Sequence, residues 1–578
     1  MQHIPRVIHK YPTENVSVQS PHQSARQHRL QYGKIASYAR PVQKHESDNA
    51  SLTTMQLSPH DLSQLDDTSL AGLEEGPLRV LSVKLLADLK EAHERLAQNP
   101  TNSSRPPSSR VPWEAEAPAD EDKGDNTRPA GSPKGGSGGD EQETGSPPQS
   151  TESDPPTENT TPGRPGRRPG APGHGRTQCL AIHEERHHHP EVCAVCGGPL
   201  SVADDERVDS AHFVIDLITP ASGRTGLEAV QIKQVYFARR CGCGHWTRAE
   251  PAEGGVEEGW TVALSERHLA GPLLVALICA LSLRMRLSRR RIREFLADWL
   301  GLSLSIASIN QCLHEAGRAV APVVEEQVLA EVRASDLLHA DETSWKEHGT
   351  LVWLWVFTTT TTTLFVIGRR SRELLQSVLG TVLQGWLMSD GYWAYRDYDN
   401  RLRCLAHLVR KARGLEESLD GVARRFGLAL HGHLEAIMAA VYAAREGPPP
   451  TGLRAHHAEA LNALFEMCLQ HAEARHAKTR ALARELLNDW DTFWVVLDHP
   501  ELPLTNNAAE RALRHWVIAR RISYGTRTRQ GSRAFTALAS VIDTCRQRGL
   551  SPWEYIAEVV RQRRQGNTAP ALPATVAP

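Results

Sequence analysis

The stretch "DLLHADETSWKEHGTLVWLWVFTTTTTTLFVIG", Asp336 to Gly368, decides the fold. Its runs "DLLHAD", "LVWLWVFTT" and "TLFVIG" are rich in β-branched and aromatic residues at tight spacing, which predicts a three-strand meander. Asp341 sits on or just past the first strand, so an acidic turn is expected at the lip of a buried sheet. Downstream, "SRELLQSVL" reads as a helix and "GWLMSD" as a short strand that Asp390 closes. Residues 400–500 have helical periodicity, broken by "GPPP" at Gly447 to Pro450. Residues 505–562 read as two helices around the loop "SYGTRTRQGSR", with Glu510 at the start of the first.

The 578 residues argue for several domains. The net charge of −2 points to no partner, but the charge is unevenly placed. Between Asn507 and Arg548 stand Arg511, Arg514, Arg520, Arg521, Arg527, Arg529, Arg533, Arg546 and Arg548, against Glu510 and Asp543. That is a basic block in a near-neutral chain. The N-terminus "MQHIPRVIHKYPTENV" lacks an apolar signal core, and the longest apolar run, "GPLLVALICALSL", is shorter than the ~20 residues a spanning helix needs. A soluble cytoplasmic protein with no membrane partner is expected.

Upstream, residues 1–76 carry no assignable pattern. Residues 77–98 have Leu81, Leu85, Leu89 and Leu96 at helical spacing, read as a leucine-rich helix, alone or in a short coiled coil. Residues 99–176 are rich in Pro, Gly, Ser and charge and predict a disordered, partly basic linker. In residues 177–250, "CAVC" and "CGC" place Cys193, Cys196, Cys241 and Cys243 as two knuckles separated by strand-rich sequence. That spacing predicts a structural Zn²⁺ site, with His245 as the alternative to Cys243. Within 265–330, "SRRRIREFLADWLGLSLSIASINQCLHEA" reads as helix, Gly301 turn, and a second helix capped by Ser305. This helix-turn-helix outline offers Arg289 and Arg290 to DNA phosphate. Cys404 and His407 in "CLAHL" lie at helical spacing and are expected to pack a helix rather than bind metal.

Asp341, Asp390 and Glu510 lie on three separate elements. If the fold gathers them, they form an all-oxygen site for hard divalent cations. Otherwise they are ordinary strand-end and helix-start acids, since a helix N-terminus favours Glu in any case.

The motifs "HADETSWK", "LMSDGYWAY", "CLAHLVRK", "PLTNNAAERALR" and "RRISYGTRTRQGSRAFTALASVIDTCRQRG" occur in this order. Together they resemble the transposases of the insertion sequence 66 family, a group of DDE transposases. "LAQNPTNSSRPPSSR" and "GRRPGAPGHGRT" resemble that family's linker and basic segment, and the cysteine cluster resembles its zinc-binding domain. The resemblance covers roughly residues 80 to 562. It implies a multidomain α/β protein with an RNase H-like DDE catalytic domain over 335–548, a helical insertion at about 400–500, and a C-terminal helix and tail at 549–578. It makes Asp341, Asp390 and Glu510 the catalytic residues, holding two Mg²⁺ or Mn²⁺ ions. Thr505 departs from the Asp often found there, and Asn506 and Asn507 are read as groups that hold the local turn.

The activity so implied is metal-dependent DNA cleavage and strand transfer at the ends of an insertion sequence. Arg511, Arg514, Arg520, Arg521 and Arg527 would contact phosphate. The partners are the element's terminal inverted repeats and target DNA, a homo-oligomer on DNA, and accessory proteins of the same element, in a bacterial nucleoid. The alternatives are a catalytically inactive, repurposed transposase that only binds DNA, and an RNase H-like nuclease that only hydrolyses.

Overall fold

The computed structural model describes residues 65, 70, 72–98, 181–202, 205–218, 226–255, 257–447 and 452–574. The expected linker at 99–176 and most of residues 1–76 lie outside them. The chain divides into two units, Met1–Leu89 and Lys90–Pro578. Helix α1 (Glu75–Leu96) occupies most of the described part of the first unit and runs past its end. It is supported by the i,i+4 pairs Glu75–Arg79 and Glu91–Arg95, and it exposes Leu78, Val80, Val83, Leu86 and Leu89.

The second unit opens with strands β1 (Glu184–His188), β2 (Glu206–Ile218), β3 (Glu228–Arg240) and β4 (Trp246–Arg248), which form one sheet in the order β1-β3-β2 with β4 also on β3. The two cysteine turns border this sheet, one just after β1 and one between β3 and β4. The histidine run ends β1, where His188 stacks on Tyr236 and His189 on Phe237. A small ladder of β5 (Glu253–Gly254) and β6 (Leu264–Ser265) leads into helices α2 (Pro272–Cys279), α3 (Arg289–Leu300), α4 (Ile306–Val323) and α5 (Leu329–Arg333). The sheet is tied to α2 directly, because Asp216 Oδ1 on β2 accepts the Leu274 N–H at 3.0 Å. Gly271 allows this approach, since a Cβ there would stand 2.2 Å from the Asp216 carboxyl carbon. Helix α3 is capped by Ser288 and ends at Gly301, whose φ of 63° closes the turn; Ser305 caps α4 through the Ser308 N–H.

The central sheet comprises β7 (Leu337–Glu347), β8 (Thr350–Thr358), β9 (Thr363–Gly368), then, after α6 (Arg372–Leu379), β10 (Trp386–Ser389) and β11 (Arg401–Arg403). Its order is β11-β10-β7-β8-β9, with β7, β8 and β9 antiparallel and β10 and β11 parallel to β7. The meander therefore forms, but its first turn is not at the acidic pair. Strand β7 runs on through "DETSWKE", and the reversal is at His348 and Gly349, with φ of 49° and 81°. Two successive positive φ values are the geometry of a tight hairpin, which Gly349 makes inexpensive.

Helices α7 (Leu405–Glu416), α8 (Gly421–Glu446), α9 (Leu453–His456), α10 (Ala458–His471), α11 (Ala477–Asn488) and α12 (Trp490–Trp494) then build a second core around Leu408, Phe426, Leu430, Leu464, Leu486 and Trp494. By length and composition α8 alone, among the described helices, would cross a membrane, but Phe426, Leu430, Leu434, Ile437 and Val441 are buried in this core. Finally α13 (Asn507–Ser523) packs on β7 and β8, α14 (Arg529–Gln547) on β9 and α4, and α15 (Pro552–Arg564) on α2 and α4. Arg564 forks onto the buried Glu315 carboxylate of α4 at 2.7 and 2.9 Å, which fixes α15 to the helical module. The result is a mixed α/β architecture.

Candidate active site and metal centre

The strand register brings the first two acids together. Met388 on β10 is level with His339 on β7, and the strands are parallel. Extended two residues past that pair, the same register sets Asp390 beside Asp341, and Asp390 is the largest charge acting on the Asp341 carboxyl. Strand β10 ends at Ser389, so Asp341 has β8 on one side, where it faces Val356, and no strand partner on the other. Asp341 is thus mid-strand and half-buried, beside a gap in the sheet rather than at its lip.

Helix α13 supplies the third acid. Asn506, its fully buried N-cap residue, donates Nδ2–H to the Ala340 carbonyl at 2.8 Å and pairs Oδ1 with His339 Nδ1 at 3.0 Å. It therefore does more than hold a local turn: it staples the start of α13 to the residues immediately before Asp341. Glu510 lies one turn into that helix, where the dipole favours a carboxylate.

The electrostatics reflect this convergence. The Asp341 carboxyl is raised well above its ordinary value by burial, then by Asp390 and Glu342; the Glu342 N–H opposes this, and Glu510 adds to it. Asp341 Oδ1 accepts that N–H at 2.9 Å, and Asp390 Oδ1 accepts the Tyr392 N–H at 2.9 Å. Glu342 is pushed up to about 7 by burial and Asp390, partly offset by the Tyr395 hydroxyl and Arg370. Like-charged carboxylates in a poorly solvated place are stabilised by a shared cation. The all-oxygen donor set fits a hard divalent ion. The three acids do not form one tight triplet, however, because Glu510 Oε1 is held by Arg410 Nη2 at 3.1 Å and lies 3.7 Å from His407 Nε2.

Sequence reading missed Glu342 and its clamp. Arg370 Nε and Nη2 reach Glu342 Oε1 at 2.8 and 2.6 Å, and Tyr395 donates to Oε2 at 2.7 Å. The adjacent letters "DE" were the signal, but only burial separates the two roles. Behind Asp390, the buried Asp489 binds Arg396, Arg401 and Arg403, and Arg403 lies against Gly391. This network anchors the helical region to the strand end that carries Asp390.

The basic residues divide. Arg511, Arg514, Arg521 and Arg527 are exposed around α13 and its following loop, as is Arg290 on α3. Arg520 differs, since its guanidinium binds Thr343 Oγ1 at 2.8 Å, Ser344 Oγ at 3.1 Å and the Ser344 carbonyl, fastening α13 to β7. Arg289 is exposed overall but turns Nη1 inward to Ser282 Oγ at 3.2 Å.

The four cysteine sulfurs all lie within 4.8 Å of one another. Cys193 and Cys243 are 3.8 Å apart, and Cys196 and Cys241 3.4 Å. Tetrahedral zinc with ~2.3 Å Zn–S bonds requires sulfurs about 3.8 Å apart, so the set can hold a zinc ion. The two knuckles are built alike: Gly197 and Gly244 have φ of 70° and 88°, and their N–H groups return to the Cys193 and Cys241 carbonyls at 3.0 and 2.8 Å. Cys243 belongs to the cluster, whereas His245 is exposed and outside it. The N–H groups of Cys196 and Val195 draw Cys193 down to about 6. Cys241 is pushed up to about 12, because its neighbouring thiols and burial outweigh the Cys243 N–H. Of these two thiols, Cys193 ionises readily and Cys241 resists until a cation compensates it.

Residues 267–534 match the family described as "Transposase IS66 family". Two curated proteins of Sinorhizobium fredii (strain NBRC 101917 / NGR234) are similar over shorter stretches. "Uncharacterized protein y4jO" is 32% identical over 110 residues, 19% of this chain and 33% of that protein. "Uncharacterized protein y4hP" is 35% identical over 75 residues, 13% of this chain and 14% of that protein. The chain thus spans a third or less of the curated relatives it matches. Asp341, Asp390 and Glu510 all fall inside the family match, and by it the region from residue 267 to residue 534 belongs to the IS66 transposase family.

Proposed function

We propose that this protein is a DDE transposase that cleaves DNA at the ends of an insertion sequence and joins the freed ends to target DNA. The observation that carries the reading is the register of β10 on β7, which, extended two residues, sets Asp390 beside Asp341, together with the Asn506 staple that delivers Glu510. The sheet order β11-β10-β7-β8-β9, with an antiparallel meander followed by parallel strands, supports an RNase H-like core over 335–548 with a helical insertion at about 400–500.

Asp341, Asp390 and Glu510 would hold two Mg²⁺ or Mn²⁺ ions. When bound, these ions activate water or a 3′-hydroxyl and stabilise the leaving oxygen. The chain's own part is to fix the ligands. Asp341 is held by its β8 pairing, Asp390 by the Tyr392 N–H, and Glu510 by the α13 staple. Burial keeps water from competing, and the exposed Arg511, Arg514, Arg521 and Arg527 draw the phosphate backbone toward the acids.

The zinc module at 177–250 and the α3–α4 pair with Arg289 and Arg290 would recognise the element's ends, and a homo-oligomer would hold two ends together, with accessory proteins of the element as further partners. The protein would then act on bacterial DNA in the cytoplasm.

The test is Mg²⁺-dependent nicking and joining of a DNA carrying the element's ends, with wild type and Asp341→Asn at equal concentration. Loss of at least about a thousandfold in rate is expected, since the substitution removes a ligand charge on which transition-state stabilisation depends. Equal rates would refute the assignment.

A further inference from the structure

We propose that Cys404, His407 and Glu510 form a second metal site, which takes a borderline-soft divalent ion such as Zn²⁺ and, when filled, withdraws Glu510 from Asp341 and Asp390. The inference rests on the functional reading only in giving Glu510 a catalytic role; the site itself stands on geometry.

The three residues offer one sulfur, one nitrogen and one oxygen within 4.8 Å of one another. Cys404 is the N-cap of α7 and His407 is one turn on, so the sequence spacing places both at one end of that helix. The thiol is buried and accepts the Asn506 N–H at 3.2 Å. Burial pushes the thiol up to about 11, with the Asn506 and His407 N–H groups offsetting part of that, so an ion bound here displaces its proton. His407 is largely withdrawn from solvent: Nε2 points to Glu510 at 3.7 Å, and Nδ1 is buried with no hydrogen-bond partner among the described residues. An imidazole buried with an idle nitrogen beside a thiol and a carboxylate is more than helix packing requires.

The ligand set also selects its ion. Mg²⁺ takes oxygen almost exclusively, whereas sulfur and imidazole suit Zn²⁺. Three protein ligands leave a fourth position open, unlike the closed four-cysteine cluster. Arg410 holds Oε1 of Glu510 at 3.1 Å, and that oxygen also lies 3.7 Å from His407 Nε2, so an ion bound here would share the carboxylate with the guanidinium. Glu510 thus stands between two sites of different chemical preference, and occupancy of one disfavours the other. By linkage, Mg²⁺ and DNA at the acids would weaken Zn²⁺ here to the same degree.

The test uses full-length protein with its four-cysteine site already loaded with zinc, titrated with Co²⁺ in the absence of DNA. A thiolate-to-cobalt charge-transfer band saturating at one further equivalent is expected. It should be absent in Cys404→Ser and need at least about tenfold more Co²⁺ in His407→Gln. Should Cys404→Ser fail to fold, Glu510→Gln serves as the second ligand variant, with the same weakening expected. No added uptake in wild type, or an unchanged band in the ligand variants, would overturn the site. Asp341→Asn should keep the band while losing cleavage, so failure of the catalytic reading and failure of this site give different results. In the cleavage assay, the Zn²⁺ concentration for half-inhibition, each variant scored against its own zinc-free rate, should rise at least about tenfold in His407→Gln; an unchanged value would overturn the proposed withdrawal of Glu510.

Discussion

Replacing Asp489 by Asn tests whether the helical region is locked to the catalytic strands by charge. The Asp489 carboxylate is fully buried, with Arg401 Nη2 at 2.8 Å, Arg396 Nε at 3.1 Å, and Arg403 Nη1 also in contact. The side chains of Arg401 and Arg403 are 8% and 2% exposed, while that of Arg396 is 40% exposed. Removing the charge leaves the buried Arg401 guanidinium without a carboxylate, while Arg403 keeps Glu485 at 2.6 Å. Breaking a buried pair costs about 3–5 kcal/mol, and the half-exposed Arg396 adds little because solvent screens it. A loss of about 4 kcal/mol corresponds to roughly 8–16 °C in Tm for a cooperative unit of 150–250 residues. Burial by itself would raise this carboxyl, but Arg401, Arg403 and Arg396 outweigh it and hold it below its ordinary value. Its contribution is therefore complete above the unfolded-state pKa, near 3.9, and is lost as pH falls through the depressed folded value. The gap between wild type and Asp489→Asn should be widest near pH 7 and narrow below about pH 4. Thermal unfolding by circular dichroism at both pH values reads this out. A shift under about 2 °C at pH 7, or one that does not narrow in acid, would refute the reasoning. Because Arg403 touches Gly391, beside Asp390, DNA cleavage by Asp489→Asn should also fall at temperatures where the variant is still folded.

Asp543 has the opposite sign. Burial pushes it up to about 6, with the Trp516 indole N–H, Arg284 and Arg546 offsetting part of the cost. Its charged form thus destabilises the fold as pH rises from about 4 to 6, by about 3 kcal/mol in all; Asp543→Asn should gain stability relative to wild type over that range, and a pH-independent difference in urea midpoints would contradict it. Cys196→Ser should release zinc and unfold the β1–β4 module, since structural zinc supplies about 10–16 kcal/mol in small domains; metal content and trypsin cleavage within 184–248 are the readouts. Arg514→Ala should lower the salt slope of DNA binding by about 0.9 with little change in Tm. Arg520→Ala should instead lower stability by about 1–3 kcal/mol, because it leaves the Ser344 carbonyl and Thr343 hydroxyl without their partner.

The sequence by itself determined the elements whose cause is local. Dense β-branched and aromatic runs made the meander, Gly301 and Ser305 marked the turn between α3 and α4, and the paired cysteine knuckles marked a four-sulfur set. Side-chain periodicity, caps and short spacings are written in neighbouring letters, and they survive folding unchanged. The order of the motifs also named three acids. It did not say how they meet, because that depends on the register between β7 and β10 and on Asn506 reaching Ala340 from far along the chain. Only the tertiary structure moved the hairpin turn from the acidic pair to His348–Gly349, set Cys243 rather than His245 in the cluster, and separated Arg520 from its exposed neighbours. The same holds for Cys404 and His407, whose spacing alone predicts helix packing rather than metal binding. Glu510, a hundred residues away, makes the difference, and no local pattern records its approach.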